Sequence, residues 1–182
     1  MLKHFAKYGL ALWLACIAGF PQYSRADDNK EYLVKAAFIY NFVKYVEWPD
    51  AKAISKQSHI DICVAGSSGL SGAGQVFKAA STNKLSLSLV TENNWHDAAS
   101  HCHILFISDS EEGKLPEILA ALKGQPVLTV SDIDGFVDNG GMIGFVASDN
   151  KIKLEVNTKP VHAAGMRIDA QLLEIALKVI DR

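Results

Sequence analysis

The chain has 182 residues, of which 49% are hydrophobic, enough to bury the core of at least one domain. It carries 18 Lys and Arg against 20 Asp and Glu, a formal charge of −2. Binding to nucleic acid needs clustered Lys and Arg that displace counterions, so this balance argues against a nucleic acid partner. It also argues against a polybasic patch that holds a protein at a membrane surface.

The first 26 residues have the three parts of an export signal. A basic start precedes an apolar run over residues 9–20 (GLALWLACIAGF), and Ser24-Arg25-Ala26 supplies small residues where a signal peptidase cleaves. The run is too short to span a bilayer, which takes roughly 20 residues. Lipidation at Cys16 is the alternative, but the apolar run continues past it and the usual upstream leucine is missing. The sequence predicts a cleaved signal peptide over 1–26 and a periplasmic domain over 27–182.

Cleavage changes both the charge and the cysteine content. Loss of Lys3, Lys7 and Arg25 leaves 15 basic against 20 acidic residues in a mature chain of 156 residues, a formal charge of −5. The two remaining cysteines are Cys63 and Cys102. An even pair in an oxidising compartment predicts a disulfide, and closing a loop of ~40 residues is worth about 4 kcal/mol. Two buried free thiols are the alternative.

The mature chain begins with a predicted helix over Glu31–Trp48, which ends because Pro49 forces the residue before it out of helical geometry. Its apolar stripe consists of Leu33, Ala36, Ala37, Tyr40, Phe42 and Val43, and the residues off that stripe are Lys35, Asn41 and Lys44. Four elements follow: strand Ile60–Ala65, glycine-rich turn Gly66–Gly74, helix Gln75–Ala80 and strand Leu85–Val90.

The second half of the chain continues the alternation of strands and helices and then has a hairpin and a closing helix. Its predicted elements are strand His103–Ser108, helix Lys114–Leu122, strand Pro126–Val130, a hairpin of Met142–Ala147 and Lys151–Val156, and a closing helix Asp169–Ile180 with Asp169 as N-cap. Strands that alternate with helices predict an α/β fold in one domain. The sheet is expected to be largely parallel and flanked by helices, with the antiparallel hairpin at one edge.

Five segments, in this order and spacing, resemble the YfiR family of periplasmic proteins. They are KAAFIYNFVKYVEWP (35–49), CHILFIS (102–108), PVLTVSDIDGFVDNGGMIGFV (126–146), KIKLEVN (151–157) and AGMRIDAQLLEIA (164–176). The resemblance spans nearly the whole predicted mature chain. It implies a compact α/β sandwich that forms a homodimer.

The same resemblance implies a negative regulator. Members bind the periplasmic part of an inner-membrane diguanylate cyclase and hold it inactive, which lowers cyclic di-GMP and restrains biofilm formation. An outer-membrane lipoprotein that sequesters the inhibitor is implied as a second partner. Cys63 and Cys102 match one family disulfide, whereas a second pair present in some members is absent, where Gly144 and its neighbours stand.

The hairpin and the segment after it carry the predicted partner-binding residues. These are Ile143, Phe145, Glu155, Val161, Met166 and Arg167. If the apolar members border a groove, an aromatic side chain of the partner protein anchors there, with Glu155 and Arg167 as a charged rim. The alternative is that Ile143, Phe145 and Val161 are ordinary core and that Glu155 is merely solvated.

Two other functions compete with inhibition of a cyclase. A module that senses small molecules would bind a small aromatic ligand in the groove of Ile143, Phe145 and Val161 and act on a histidine kinase or another membrane receptor. A hydrolase would need a nucleophile beside a histidine. Ser131-Asp132 and His162 have the right chemistry, but nothing in the sequence joins them, and Ser131-Asp132 is more typical of a turn or a helix cap.

Two further patterns are incomplete versions of known sites. The Gly66–Gly74 segment lies between a strand and a helix, yet it lacks G-x-G-x-x-G and the Gly-Lys-Ser/Thr of a phosphate-binding loop. His101 and His103 would share one face of a strand, but no third metal ligand is near them in sequence. The sequence therefore predicts no catalytic residues, no metal and no cofactor, and a protein that acts by binding.

Overall fold

The computed structural model describes residues 25–49, 59–82, 85–92 and 95–181. Residues 1–24 of the predicted signal peptide lie outside the described residues, so the signal and the 27–182 domain boundary stay predictions. None of the helices in the described ranges combines the length and the apolarity that a bilayer crossing requires.

Short helices and strands alternate after one long helix. The helices are α1 Arg25–Tyr45, α2 Gly74–Ala80, α3 Ala98–His101, α4 Leu115–Ala121, α5 Thr158–Ala163 and α6 Ala170–Glu174. The strands are β1 Val46–Glu47, β2 His59–Ala65, β3 Ser86–Glu92, β4 Ile104–Ile107, β5 Leu128–Ser131, β6 Ile143–Ser148, β7 Lys151–Asn157, β8 Arg167–Ile168 and β9 Lys178–Ile180. Turns of 3-10 helix occupy Gly69–Ala73, Trp95–Asp97 and Asp109–Lys114.

The described strands form a seven-stranded sheet in the order β3-β2-β4-β5-β6-β7-β9 and a small antiparallel pair, β1-β8. Within the large sheet only β6 and β7 are antiparallel. The predicted α/β class, the largely parallel sheet and the hairpin are therefore confirmed. Asp149 and Asn150 close the hairpin with φ of 52° and 59°, the left-handed pair typical of a two-residue type I′ turn.

The predicted ends of two helices were wrong, and so was the predicted edge position of the hairpin, because strands pair with distant segments. Helix α1 ends at Tyr45 because Val46 and Glu47 pair with Ile168 and Arg167. The closing helix is only five residues long, although Asp169 is its N-cap and accepts from the backbone N–H of Gln171. Residues 178–180 form β9 beside β7, so the hairpin is not an edge of the sheet.

Helices cover both faces of the sheet, each over its own buried cluster. One cluster joins α1 and α2 to the sheet through Ile39, Phe42 and Phe77. The other lies under α3 and α4 and contains both cysteines together with Ile118 and Leu122. Cys63 and Cys102 are fully buried and form the predicted disulfide, with Cα atoms 5.9 Å apart. The disulfide thus ties β2 to the end of α3 inside the second cluster.

Candidate functional site

A polar cavity of about 420 Å³ opens at the carboxyl ends of the parallel strands. Side chains of α1 between Glu31 and Lys35 form one wall, and the loops after β4 and β5 form another. The residues that line it are Glu31, Tyr32, Lys35, Asp109, Asp132, Asp134, Phe145, Val146, Ala147 and Ile152. In open α/β sheets this end of the strands is where ligands usually bind, since the loops there bring together side chains from several strands.

Lys35 is the central charge of this cavity, although only 3% of it is exposed. Its Nζ lies 2.6 Å from a carboxylate oxygen of Asp132 and 2.6 Å from one of Glu31. Burial by itself would lower the pKa of Lys35, but the hydrogen bonds that Lys35 donates to Asp132 and Glu31 outweigh it and raise the pKa above its ordinary value. Lys35 is therefore a fixed cation and not an amine nucleophile at neutral pH.

The sequence-based interpretation missed this residue. It placed Lys35 off the apolar stripe of α1, whereas the helix turns Lys35 inward and leaves Leu33 and Ala37 exposed. A signal was present, because Asp132 follows a buried strand and Lys35 lies on a helix with apolar residues on several sides. Only the packing of α1 against the rest of the fold decides which of those sides faces the sheet.

The cavity has an excess of negative charge. One lysine stands against four carboxylic acids, Glu31, Asp109, Asp132 and Asp134. Within the described part of the chain the buried Oδ1 of Asp132 has no hydrogen-bond partner, since Lys35 and the Tyr32 hydroxyl both approach Oδ2. A buried acceptor without a donor costs free energy, which a ligand with an N–H or O–H group would recover. The arrangement suits a cationic or hydroxylated ligand.

Tyr32 forms the side of the cavity nearest to the glycine-rich segment. Its hydroxyl lies 3.4 Å from Asp132 Oδ2, and its ring packs over Gly69 so closely that no side chain fits there. Burial, and secondly the negative charge of Asp132, raise the pKa of the Tyr32 hydroxyl. Tyr32 is therefore a neutral hydrogen-bond donor over the physiological range.

The predicted partner-binding residues do not form one open groove. Ile143, Val161 and Met166 are buried at 1% exposure or less, inside the cluster under α1. Phe145 is also buried, but it lines the polar cavity and contacts the rings of Phe38 and Phe42 at centroid distances of 6.0 and 6.1 Å. Of the apolar residues predicted to bind a partner, Phe145 alone lines this cavity.

The two predicted rim charges lie apart. Successive side chains of a strand point to opposite faces, so Glu155 lies on the face of β7 opposite to Leu154, which packs with Ile143 and Phe145. Arg167 is exposed on β8 and binds Glu47, with Nη2 and Nε at 2.6 and 3.0 Å from the same carboxylate oxygen. The sheet therefore separates Glu155 from the apolar residues it was predicted to border.

Among the described residues, large apolar side chains are exposed at two places. On α1, Leu33 and Val34 are 43% and 44% exposed, and with Ala37, Phe38 and Asn41 they line a groove of about 290 Å³. Near the carboxyl terminus the exposed apolar residues are Ile175, Leu177 and Val179. Contiguous apolar patches on a protein surface commonly mark contacts with other proteins.

The structure shows the surroundings of Ser131 and His101, which were considered from the sequence as a nucleophile and as a metal ligand. Ser131 is fully buried, and its hydroxyl donates to the carbonyl of Ile107 and accepts from the N–H of Ile133, as expected of a turn. His101 ends helix α3 and does not share a strand with His103, so that prediction was wrong. His101 does lie beside Cys63 and Cys102, but their sulfurs are bonded to each other and offer no thiolate.

A Ser-His-Asp cluster that the sequence did not reveal lies on β2 and β3. His59 Nε2 is 2.9 Å from Asp61 Oδ1 and 3.2 Å from the Ser88 hydroxyl, which itself donates to Asp61. In a catalytic relay the carboxylate and the hydroxyl bind different nitrogens of the imidazole. Here they share one nitrogen, and the serine proton is directed to the carboxylate, so the cluster is not arranged for nucleophilic attack.

Comparison with known proteins places the chain in a family. A family model described as YfiR/HmsC-like matches residues 32–177. That span includes α1 from Tyr32 onward, the lining of the polar cavity other than Glu31, the disulfide and the hairpin. No curated protein matches the chain in sequence.

Solved structures share the fold at low sequence identity. The ABC domain in complex with L-Trp from Streptococcus pneumonia has a TM-score of 0.54 at 13% identity, over 82% of this chain and 60% of that one. A conserved domain protein from Vibrio cholerae O1 biovar eltor has a TM-score of 0.52 at 10% identity, over 81% of this chain and 60% of that one. This chain thus spans about 60% of the length of both neighbours, and at these identities the likeness concerns the fold alone.

Proposed function

The chain belongs to the YfiR/HmsC-like family of periplasmic regulators of cyclic di-GMP signalling, and from that membership we propose that it inhibits an inner-membrane diguanylate cyclase. It binds the periplasmic part of the cyclase and favours the inactive state through higher affinity for that state. Synthesis of cyclic di-GMP, and with it biofilm formation, is thereby repressed. The observation that carries the proposal is the family match over residues 32–177.

The exposed face of α1, formed by Leu33, Val34, Ala37, Phe38 and Asn41, is the surface that we assign to the cyclase. The sequence predicted Phe145 as a partner contact, but Phe145 is buried and only its neighbour Phe38 reaches this surface. An apolar helix face of this kind suits a helix or an aromatic anchor of the partner protein. A homodimer and a sequestering outer-membrane lipoprotein remain part of the proposal as further partners of the chain.

The proposal is tested with the mature chain, residues 27–182, and solubilised inner membranes of its own host. We expect the chain to capture a diguanylate cyclase with a periplasmic segment, and deletion of its gene to raise cyclic di-GMP. Val34→Glu places a charge on the α1 face and should abolish capture. Because Val34 is 44% exposed, the free energy of unfolding should change by no more than about 0.5 kcal/mol.

Leu177→Glu makes the same change on the other apolar patch, where Leu177 is 57% exposed, and serves as the matched control. Capture that survives Leu177→Glu and fails with Val34→Glu supports the α1 face. The reverse result moves the contact to the carboxyl-terminal patch. Unchanged cyclic di-GMP in the deletion strain would contradict inhibition of a cyclase altogether.

Small-molecule sensing for a histidine kinase is the second candidate function, and the polar cavity favours it. The aromatic ligand predicted from sequence would meet Phe145 there, but the lining also contains Lys35 and four carboxylic acids. An aromatic amine therefore fits the cavity better than an uncharged aromatic compound. A thermal shift with tyramine, compared with phenol and ethylamine, tests this function, since only a ligand of the native state raises the melting temperature.

A further inference from the structure

A second cavity, also of about 420 Å³, lies at the opposite end of the sheet, where the parallel strands begin. Its walls are the end of α4, the helix α5, and the residues at the amino ends of β5 and β6. The residues that line it are Leu119, Ala120, Leu122, Lys123, Gly124, Thr129, Gly140, Met142, Asn157, Lys159, Pro160 and Ala163. This volume is within the range of small-molecule sites, roughly 300–1,000 Å³.

The polar side chains inside this second cavity already form hydrogen bonds with the protein backbone. Thr129 accepts from the backbone N–H of Met142 at 3.2 Å. Asn157 donates to the carbonyl of Val137 at 2.9 Å and accepts from the backbone N–H of Lys159 at 3.2 Å. Because these polar side chains are already satisfied by the protein backbone, the ligand that fits has an apolar body.

Two lysines supply positive charge to the cavity. Lys123 and Lys159 are both exposed and both line it. Lysines elsewhere in the described ranges, such as Lys35, Lys114 and Lys178, form ion pairs, whereas neither Lys123 nor Lys159 pairs with a described carboxylate. Among the residues that the structure describes, no carboxylic acid lines the cavity, so no described wall residue neutralises the two ammonium groups.

We propose that this cavity binds a small organic anion with an apolar body, a carboxylate of the medium-chain fatty acid type. The hydrocarbon chain packs against Leu119, Leu122 and Met142, and the carboxylate lies between Lys123 and Lys159. Charge-assisted hydrogen bonds hold the head group, while burial of the chain supplies most of the affinity. The proposal does not depend on the cyclase, because it concerns the isolated protein.

The test is isothermal titration calorimetry of the full mature chain with decanoate below its micelle concentration. Decanol has the same chain without the charge, and acetate has the charge without the chain. We expect decanoate to bind at one site, decanol to bind at least about tenfold more weakly, and acetate not to bind. Equal affinity of decanoate and decanol, or no heat with decanoate, overturns the proposal.

Variants locate the site. The double variant Lys123→Met and Lys159→Met should weaken decanoate at least about tenfold and leave decanol unchanged, whereas Lys151→Met at the exposed start of β7 should change neither. Ala163→Phe fills the cavity from an exposed position of α5 and should abolish both ligands. If Ala163→Phe does not fold, Ala120→Phe makes the equivalent change from α4. Binding that survives the filling variants but is lost in Val34→Gln would place the ligand on the α1 face and overturn the proposal.

Discussion

The two cavities have the same volume and lie at opposite ends of one sheet, yet their chemistry is opposite. At the carboxyl ends of the strands, loops carry Asp109, Asp132 and Asp134 toward the buried ammonium of Lys35. At the amino ends, helices α4 and α5 supply leucine, alanine and proline, with two lysines among them. The fold therefore creates both cavities, while the side chains of the segments that line each cavity decide which ligand it suits.

The cavities also differ in how their polar groups are satisfied. In the polar cavity, the buried Lys35 is paired with Asp132 and Glu31, so that removal of one partner leaves an uncompensated charge. In the apolar cavity, Thr129 and Asn157 bond to the backbone, and the lysines are solvated. We therefore expect substitutions in the polar cavity to destabilise the fold and substitutions in the apolar cavity to change ligand binding with little effect on the fold.

The largest expected effect concerns the disulfide, which shares a buried cluster with Leu122 of the apolar cavity. Cys63→Ala with Cys102→Ala opens a loop whose ends are 39 residues apart, and should lower the free energy of unfolding by about 4 kcal/mol. Urea unfolding with and without reductant measures it. Reductant should destabilise the natural chain and have no effect on the double variant; equal stability of all forms would contradict the expectation.

Lys35→Met should cost about 3 kcal/mol, because it leaves the carboxylate of Asp132 buried without its cation. Lys159→Met is the control in the apolar cavity and should stay within about 0.5 kcal/mol of the natural chain. Adding Asp132→Leu to Lys35→Met should restore most of the loss, since no uncompensated charge remains. Equal effects of the two lysine substitutions, measured by urea unfolding, would remove the contrast between the cavities.

The dependence of stability on alkaline pH tests the buried charges of the polar cavity in a second way. The pKa values of Lys35 and Tyr32 are both raised in the folded chain. A raised pKa contributes stability that is fully present below the pKa of the unfolded chain, at about 10 to 10.4, and that is lost as the pH rises through the folded value. Stability of the natural chain should fall above that pH, and Lys35→Met should show a smaller fall. Identical pH profiles of the two proteins would count against the buried pair.

A smaller effect is expected from Gly69, which lies under the ring of Tyr32. Gly69→Ala places a methyl group against the Tyr32 ring and should cost about 1–3 kcal/mol, because the ring must move. Gly72→Ala, in the same 3-10 helix, points the methyl group into open space and should be nearly neutral. A thermal unfolding series compares them, and similar melting temperatures would show that the ring adapts.

The smallest effect is expected at the exposed ion pair of Arg167 and Glu47. Arg167→Ala should change the free energy of unfolding by less than about 1 kcal/mol, because water and salt screen an exposed pair. The comparison with Lys35→Met contrasts a buried and an exposed pair in one protein. A loss as large as that of Lys35→Met would show that β1 and β8 depend on this contact.

Much of the fold could be predicted because its signals are local. Residues 104–107 are continuously apolar, as a strand covered on both faces must be, and they form an interior strand. The alternation on either side of residues 148–150 predicted the hairpin, and Asp149 and Asn150 tolerate the left-handed turn that closes it. The cysteine pair and the order of the five family segments were likewise available from sequence.

The candidate site was less predictable because it depends on which helix side meets the sheet. Helix α1 is apolar on several sides, so its periodicity did not reveal that Lys35 turns inward and Leu33 outward. The alternation along β7 correctly placed Leu154 and Glu155 on opposite faces of the sheet. The predicted partner-binding surface nevertheless combined residues from both faces.

The sequence by itself determined the local elements, the disulfide pair and the family, because each depends on residues near one another or on their order. The tertiary structure decided the rest through pairing between distant segments. Residues 178–180 have a helical sequence pattern, but they pair with β7 as a strand. Val46 and Glu47 fit the pattern of α1, but they pair with β8. Packing of α1 on the sheet buries Lys35 against Asp132 in the loop after β5, which makes one end of the sheet polar and leaves the other apolar.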